Sequence, residues 1–64
     1  MTSLYNYLMD NDVDNFSIYG ESSSLNLLDM IQDNDPFLNT KVNVRDDRAY
    51  IVIGNTEKLI VVED

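Results

Sequence analysis

Apolar residues along this chain recur first at helical spacing and later at strand spacing, and the change of period predicts its elements. Leu4, Tyr5, Leu8 and Met9 lie three or four positions apart behind Thr2 and Ser3, either of which suits an N-cap. They predict a short helix from about Ser3 to Met9. The run Asp10-Asn11-Asp12-Val13-Asp14-Asn15 should end it, because short polar side chains compete for the backbone hydrogen bonds of a helix. Phe16-Ser17-Ile18-Tyr19 alternates and stops at Gly20, the pattern of a short strand or extended segment. Ser22-Ser23-Ser24 reads as the entry to a second helix from about Ser24 to Gln32. There Leu25, Leu27, Leu28, Met30 and Ile31 form a broad apolar stripe opposite Asn26, Asp29, Gln32 and Asp33. Asp35-Pro36 bounds that helix, since the residue before a proline avoids the helical region, and Phe37 and Leu38 are expected to plug the base of the core.

The C-terminal half changes period. Lys41-Val42-Asn43-Val44-Arg45 alternates, which predicts a strand with Val42 and Val44 inward. Asp46-Asp47 reads as a two-residue turn. Two strongly apolar arms follow, Tyr50–Ile53 and Leu59–Val62, joined by the polar connection Gly54-Asn55-Thr56-Glu57-Lys58. Neither arm alternates. A strand with one wet face alternates and a strand covered on both faces does not. Either a partner covers the second face of this sheet or that face carries exposed aliphatic groups, and Val52 and Ile60 are both assigned to the core. The predicted fold is α+β: a three-stranded antiparallel β-meander in the C-terminal half packed against one or two short N-terminal helices, as a single acidic domain over residues 1–64.

Composition narrows the function. The chain has 64 residues, near the size at which one core is only marginally sufficient. Twelve Asp and Glu oppose four Lys and Arg, a net charge of −8. Such a chain is poorly suited to bind nucleic acid or an anionic membrane directly, since both require cations. A basic protein surface is the partner its field would select; solubility alone is the plainer explanation. Cysteine is absent, which removes disulfides, thiolate metal sites and thiol nucleophiles and suits a cytoplasmic setting. The N-terminal MTSLYNYLMDND has neither the basic flank nor the apolar run of a signal peptide or transmembrane helix.

Chemistry is sparse. Histidine is absent, no Gly-x-Ser-x-Gly elbow occurs, and two glycines cannot make a phosphate-binding loop. Neither an enzymatic activity nor a cofactor is expected. Asp10-x-Asp12-x-Asp14-Asn15, with Glu21 farther on, resembles the calcium loop of the EF-hand family. That resemblance implies Asp10, Asp12, Asp14 and Glu21 as oxygen ligands. The sequence departs from the family at Asn15, which stands in the place of the turn glycine, and at Ser17, which stands in the place of an aliphatic residue. An acidic surface loop is the preferred reading, with no metal ligands assigned.

Two aspartate clusters remain: Asp10, Asp12 and Asp14 after the first helix, and Asp29, Asp33 and Asp35 along and beyond the second. Duplex DNA carries about one negative charge per 1.7 Å of axis, a spacing that rows of carboxylates can imitate. In size, charge, lack of catalytic groups and helix-plus-meander pattern, the chain resembles the small acidic inhibitors encoded by phages and mobile elements. These include anti-CRISPR, anti-restriction and uracil-DNA glycosylase inhibitor proteins. The resemblance implies DNA mimicry: binding to the basic nucleic-acid-binding surface of a host nuclease or other DNA-handling protein, in the host cytoplasm. No individual residue carries over from it. The alternative is a small interaction module, or an antitoxin-like accessory protein, that dimerises or binds a partner through an apolar sheet face.

Overall fold

The computed structural model describes residues 2–63. In chain order the elements are β1 (Thr2–Ser3), α1 (Leu4–Asp10), β2 (Asn15–Ile18), β3 (Ser24–Asn26), α2 (Leu27–Gln32), a 3₁₀ turn (Pro36–Asn39), β4 (Lys41–Arg45), β5 (Arg48–Ile53) and β6 (Thr56–Glu63). The class is α+β, as expected. The sheet, however, has six strands rather than three, in the order β1-β4-β5-β6-β2-β3, with every neighbouring pair antiparallel. The three additional strands are short N-terminal segments: β2 answers to the alternation of Phe16–Tyr19, whereas β1 and β3 are too brief for a pattern to stand out. β6 joins the two halves: Thr56–Leu59 pair with β5, and Ile60–Glu63 pair with β2.

Each helix begins and ends through named side chains and backbone groups. Ser3 caps α1, its hydroxyl accepting from the Asn6 amide at 3.1 Å. At the far end Asp12 takes a left-handed φ of 55°, its amide donates to the Met9 carbonyl at 3.3 Å, and the Val13 amide donates to the Leu8 carbonyl at 2.9 Å. This is a Schellman closure, completed by the burial of both Leu8 and Val13. α2 repeats the device. The Asn26 side chain caps its start by accepting from the Asp29 amide at 3.0 Å. Asn34 then takes φ 53°, with Asn34 donating to Ile31 at 3.1 Å and Asp35 to Met30 at 3.0 Å. The Asp35 carboxylate caps the next element in turn, accepting from the Phe37 amide at 2.9 Å.

The second helix therefore starts at Leu27, not at Ser24. Ser24–Asn26 is strand β3, with Leu25 opposite Phe16 in β2. A three-residue strand feeding straight into a helix leaves no gap in the apolar pattern, so the two elements read as one.

Register sorts the sheet residues between its faces. On one face Val42 stands opposite Ile51, Val44 opposite Ala49, Ile18 opposite Ile60, and Phe16 opposite both Val62 and Leu25. Leu4 and Leu8 of α1 and Leu27 and Met30 of α2 pack on this face to form one core, with Phe16, Leu4, Leu8 and Ile51 fully enclosed. Val44 points to this side as its alternation predicts, but it is 56% exposed. It lies past the reach of the helices, and small Ala49 opposite it is the buried member of the pair.

The other face corrects a second assignment. Val52 stands opposite Glu57 and is only half-buried, so it is not a core residue; Ile60 is. The non-alternating arms are not covered twice among the described residues. Their second set of aliphatic groups is partly exposed, with Val61 at 37%.

The connections are tight. Asp46 and Asp47 form a two-residue loop between Arg45 and Arg48, both with positive φ, 51° and 64°. Gly54 and Asn55 form the next loop, with Gly54 at φ 61° and Ile53 paired to Thr56. The predicted five-residue connection is thus a two-residue turn, and Thr56, Glu57 and Lys58 belong to β6. Three successive polar residues at the end of a strand look like loop in sequence.

Candidate functional site

The six aspartates singled out from the sequence fall into three structural situations. Asp10, Asp14, Asp29 and Asp33 are exposed. Asp12 is also exposed, but it occupies the left-handed position that closes α1. Asp35 is half-buried, and its carboxylate holds the 3₁₀ turn. The topology brings the two clusters toward each other: the Leu27 amide donates to the Asp14 carbonyl at 2.8 Å, and Asn15 pairs with Asn26. The loop after α1 therefore abuts the start of α2, two residues from Asp29. Asp33 and Asp35 lie at the other end of this six-residue helix.

In the calcium-loop-like stretch, Asn15–Ile18 form strand β2. Among the described residues no group of three or more Asp or Glu is placed to hold a metal ion. Glu21 instead accepts from Lys58 Nζ at 2.9 Å, linking the loop after β2 to β6.

Charge is divided by region, and this division is legible in the sequence once the elements are known. Residues 1–40 carry seven carboxylates (Asp10, Asp12, Asp14, Glu21, Asp29, Asp33 and Asp35) and no lysine or arginine. All four cations, Lys41, Arg45, Arg48 and Lys58, lie on β4, β5 and β6. Two of them are paired within the fold, Lys58 with Glu21 and Arg45 with Glu57 at 2.9 Å. Residues 1–40 are thus uniformly anionic, while residues 41–64, with five carboxylates against the four cations, are nearly neutral.

The uncovered sheet face holds a strip of partly exposed apolar groups, Tyr50, Val52, Leu59 and Val61. A polar cluster crosses it. Arg45 sits over the Tyr50 ring, 4.3 Å from its centre, and donates to both oxygens of Glu57 at 2.9 and 3.1 Å; Asn43 adds a bond to Glu57 at 2.9 Å. The bond from Arg45, then that from Asn43, holds the Glu57 carboxyl below its ordinary range, and the same pairing raises Arg45.

A cleft of about 470 Å³ opens on the helical side, between the start of α1, the end of α2 and the 3₁₀ turn. Ser3, Tyr5, Asn6, Ile31, Asn34, Asp35, Leu38 and Asn39 line it. Sequence reasoning missed it: its asparagines stand at positions 6, 34 and 39, and no local pattern connects them.

Among the described residues no polar or charged side chain is buried, and no helix is long and apolar enough to cross a membrane. A scan against protein-family models, a search of curated proteins and a search of solved structures each returned no match to this chain.

Proposed function

We propose that this chain is a non-enzymatic binding protein whose acidic helical side engages the cationic, nucleic-acid-binding surface of another protein and blocks it in the cytoplasm. The observation that carries the reading is the division of charge: seven carboxylates without a single cation over residues 1–40, and every cation on the strands β4, β5 and β6. An acid run kept only for solubility has no reason to exclude lysine and arginine from forty consecutive residues. In this reading the β4–β5–β6 meander is the scaffold and the helices are the working layer. Asp10, Asp14, Asp29 and Asp33 are exposed contact groups; Asp35 is a contact group that also holds the 3₁₀ turn, and Asp12 contributes charge while closing α1.

The test is affinity capture from a bacterial lysate at low and high salt, with duplex DNA as competitor. The protein and its Asp10/Asp14/Asp29/Asp33→Asn variant are compared. Nucleic-acid-binding proteins should be retained at low salt, displaced by DNA and by salt, and lost with the variant. Each exposed carboxylate should contribute up to about 1 kcal/mol. An identical retained set for both proteins at every salt concentration overturns the reading.

A second reading rests on a separate observation, the apolar strip of Tyr50, Val52, Leu59 and Val61 on the uncovered face. A homodimer or partner complex formed there would resist salt and be lost on Leu59→Lys or Val61→Lys.

A further inference from the structure

We infer that the cleft between α1, α2 and the 3₁₀ turn receives an arginine or lysine side chain, together with its flanking backbone, from the basic partner. The inference rests on the acidic-surface reading and names the point at which that surface grips.

The lining has the parts such a side chain requires. Asp35 is its one charged member. One of the Asp35 oxygens is taken by the Phe37 amide at 2.9 Å, which fixes the carboxylate in place and leaves the second oxygen for a guanidinium or ammonium. Tyr5 adds an aromatic ring to the lining, and Ile31 and Leu38 add apolar wall for the methylene stem. Asn6, Asn34 and Asn39 carry side-chain amides that make no hydrogen bond to the described residues, and an amide can both donate to and accept from a peptide backbone.

Other occupants fit less well. An anion would meet Asp35 and the surrounding field of a segment that has no cation. The helix start offers it little, because the Leu4 amide is held by the Thr40 carbonyl at 2.8 Å and the Asn6 amide by Ser3 at 3.1 Å. At about 470 Å³ the volume falls within the ordinary range of ligand pockets, roughly 300–1,000 Å³, so it has room for more than a lone ion.

The test uses ¹H–¹⁵N spectra of the intact protein titrated with two capped tripeptides, acetyl-Gly-Arg-Gly-amide and acetyl-Gly-Gln-Gly-amide. The arginine peptide should shift the side-chain amide signals of Asn6, Asn34 and Asn39, and the glutamine peptide should not. Asp35→Asn retains an oxygen for the Phe37 amide and removes the charge; it should weaken the arginine peptide by up to about five-fold. Asp10→Asn, outside the cleft, should weaken it by less than about two-fold. Equal binding of the two peptides, or arginine-induced shifts spread over the exposed aspartates instead of the three asparagines, overturns the inference. A nona-arginine peptide separates the two claims. If it binds in a salt-dependent way without moving the cleft signals, the cleft assignment falls and the acidic-surface reading stands. If it does not bind at all, both fall.

Discussion

The two faces of β5 and β6 carry the same kinds of residue and have opposite fates. Ile51 is fully enclosed while its neighbour Val52 is half-exposed; Ile60 is 6% exposed while Val61 is 37% exposed. Side-chain hydrophobicity does not separate these pairs. What separates them is that α1 and α2 bring Leu4, Leu8, Leu27 and Met30 to one side only. A chain of this length can supply one covering layer. The apolar groups left on the other side are held in place by cross-strand partners, Asn43–Tyr50–Leu59 and Val52–Glu57, and not by enclosure.

That contrast is most directly broken by a charge placed on each face. Ile60→Asp buries an unpaired carboxylate at a cost of about 3–5 kcal/mol. A domain this small has about that much stability in total, so circular dichroism should show it unfolded at 25 °C. Val52→Lys, set opposite Glu57, should cost less than about 1 kcal/mol, and Val52→Asp slightly more because it faces a like charge. A Val52→Lys variant as unfolded as the Ile60 variant would mean that the second face is also enclosed.

A smaller effect tests what sets the faces. The Asp46-Asp47 turn fixes the register of β4 on β5, and a slip of one residue would exchange the two faces. Both aspartates are held at positive φ, which glycine adopts without strain. Asp47→Gly should stabilise the fold by about 0.5 kcal/mol, measured as a higher urea midpoint at unchanged slope. A lower midpoint would show that the aspartate side chain itself stabilises the loop.

The smallest effect belongs to the Arg45–Glu57 pair on the open face. The folded Glu57 carboxyl lies below its ordinary range, so its contribution is present above the unfolded glutamate value and is lost as pH falls through the folded one. Carboxyl-detected titration should give Glu57 a lower midpoint in the unaltered protein than in Arg45→Gln. Equal midpoints in the two proteins would show that the pair is broken in solution.

Much of the fold is readable from local chemistry, because some signals depend only on neighbours in the chain. Ser3 as a cap, Leu4 and Leu8 one turn apart, the stop before Pro36 and the Asp46-Asp47 turn are all of this kind. The roles of Asp12 and Asp35 were hidden because the same residues read equally well as surface acids. Their backbone positions become visible only when the helix ends are placed to within one residue. The candidate site was half legible. The division of charge lies in the order of residues, whereas the cleft joins positions 6, 31, 35 and 39, which only the packing of α1 against the 3₁₀ turn brings together.

The sequence by itself determined the α+β class, the start and composition of α1, the position of the C-terminal strands and an anionic N-terminal half, because each depends on periods, caps and charges counted along the chain. The tertiary structure alone decided that β1, β2 and β3 complete a six-stranded sheet, that Leu25 belongs to a strand, and that Val52 and Val44 stay outside the core. It also decided that the aspartates of the EF-hand-like stretch do not converge. The physical reason is the same in each case. Two- and three-residue strands and exposed apolar groups have no local signature, and the pairing of even a legible short strand such as β2 depends on which long-range partner reaches it.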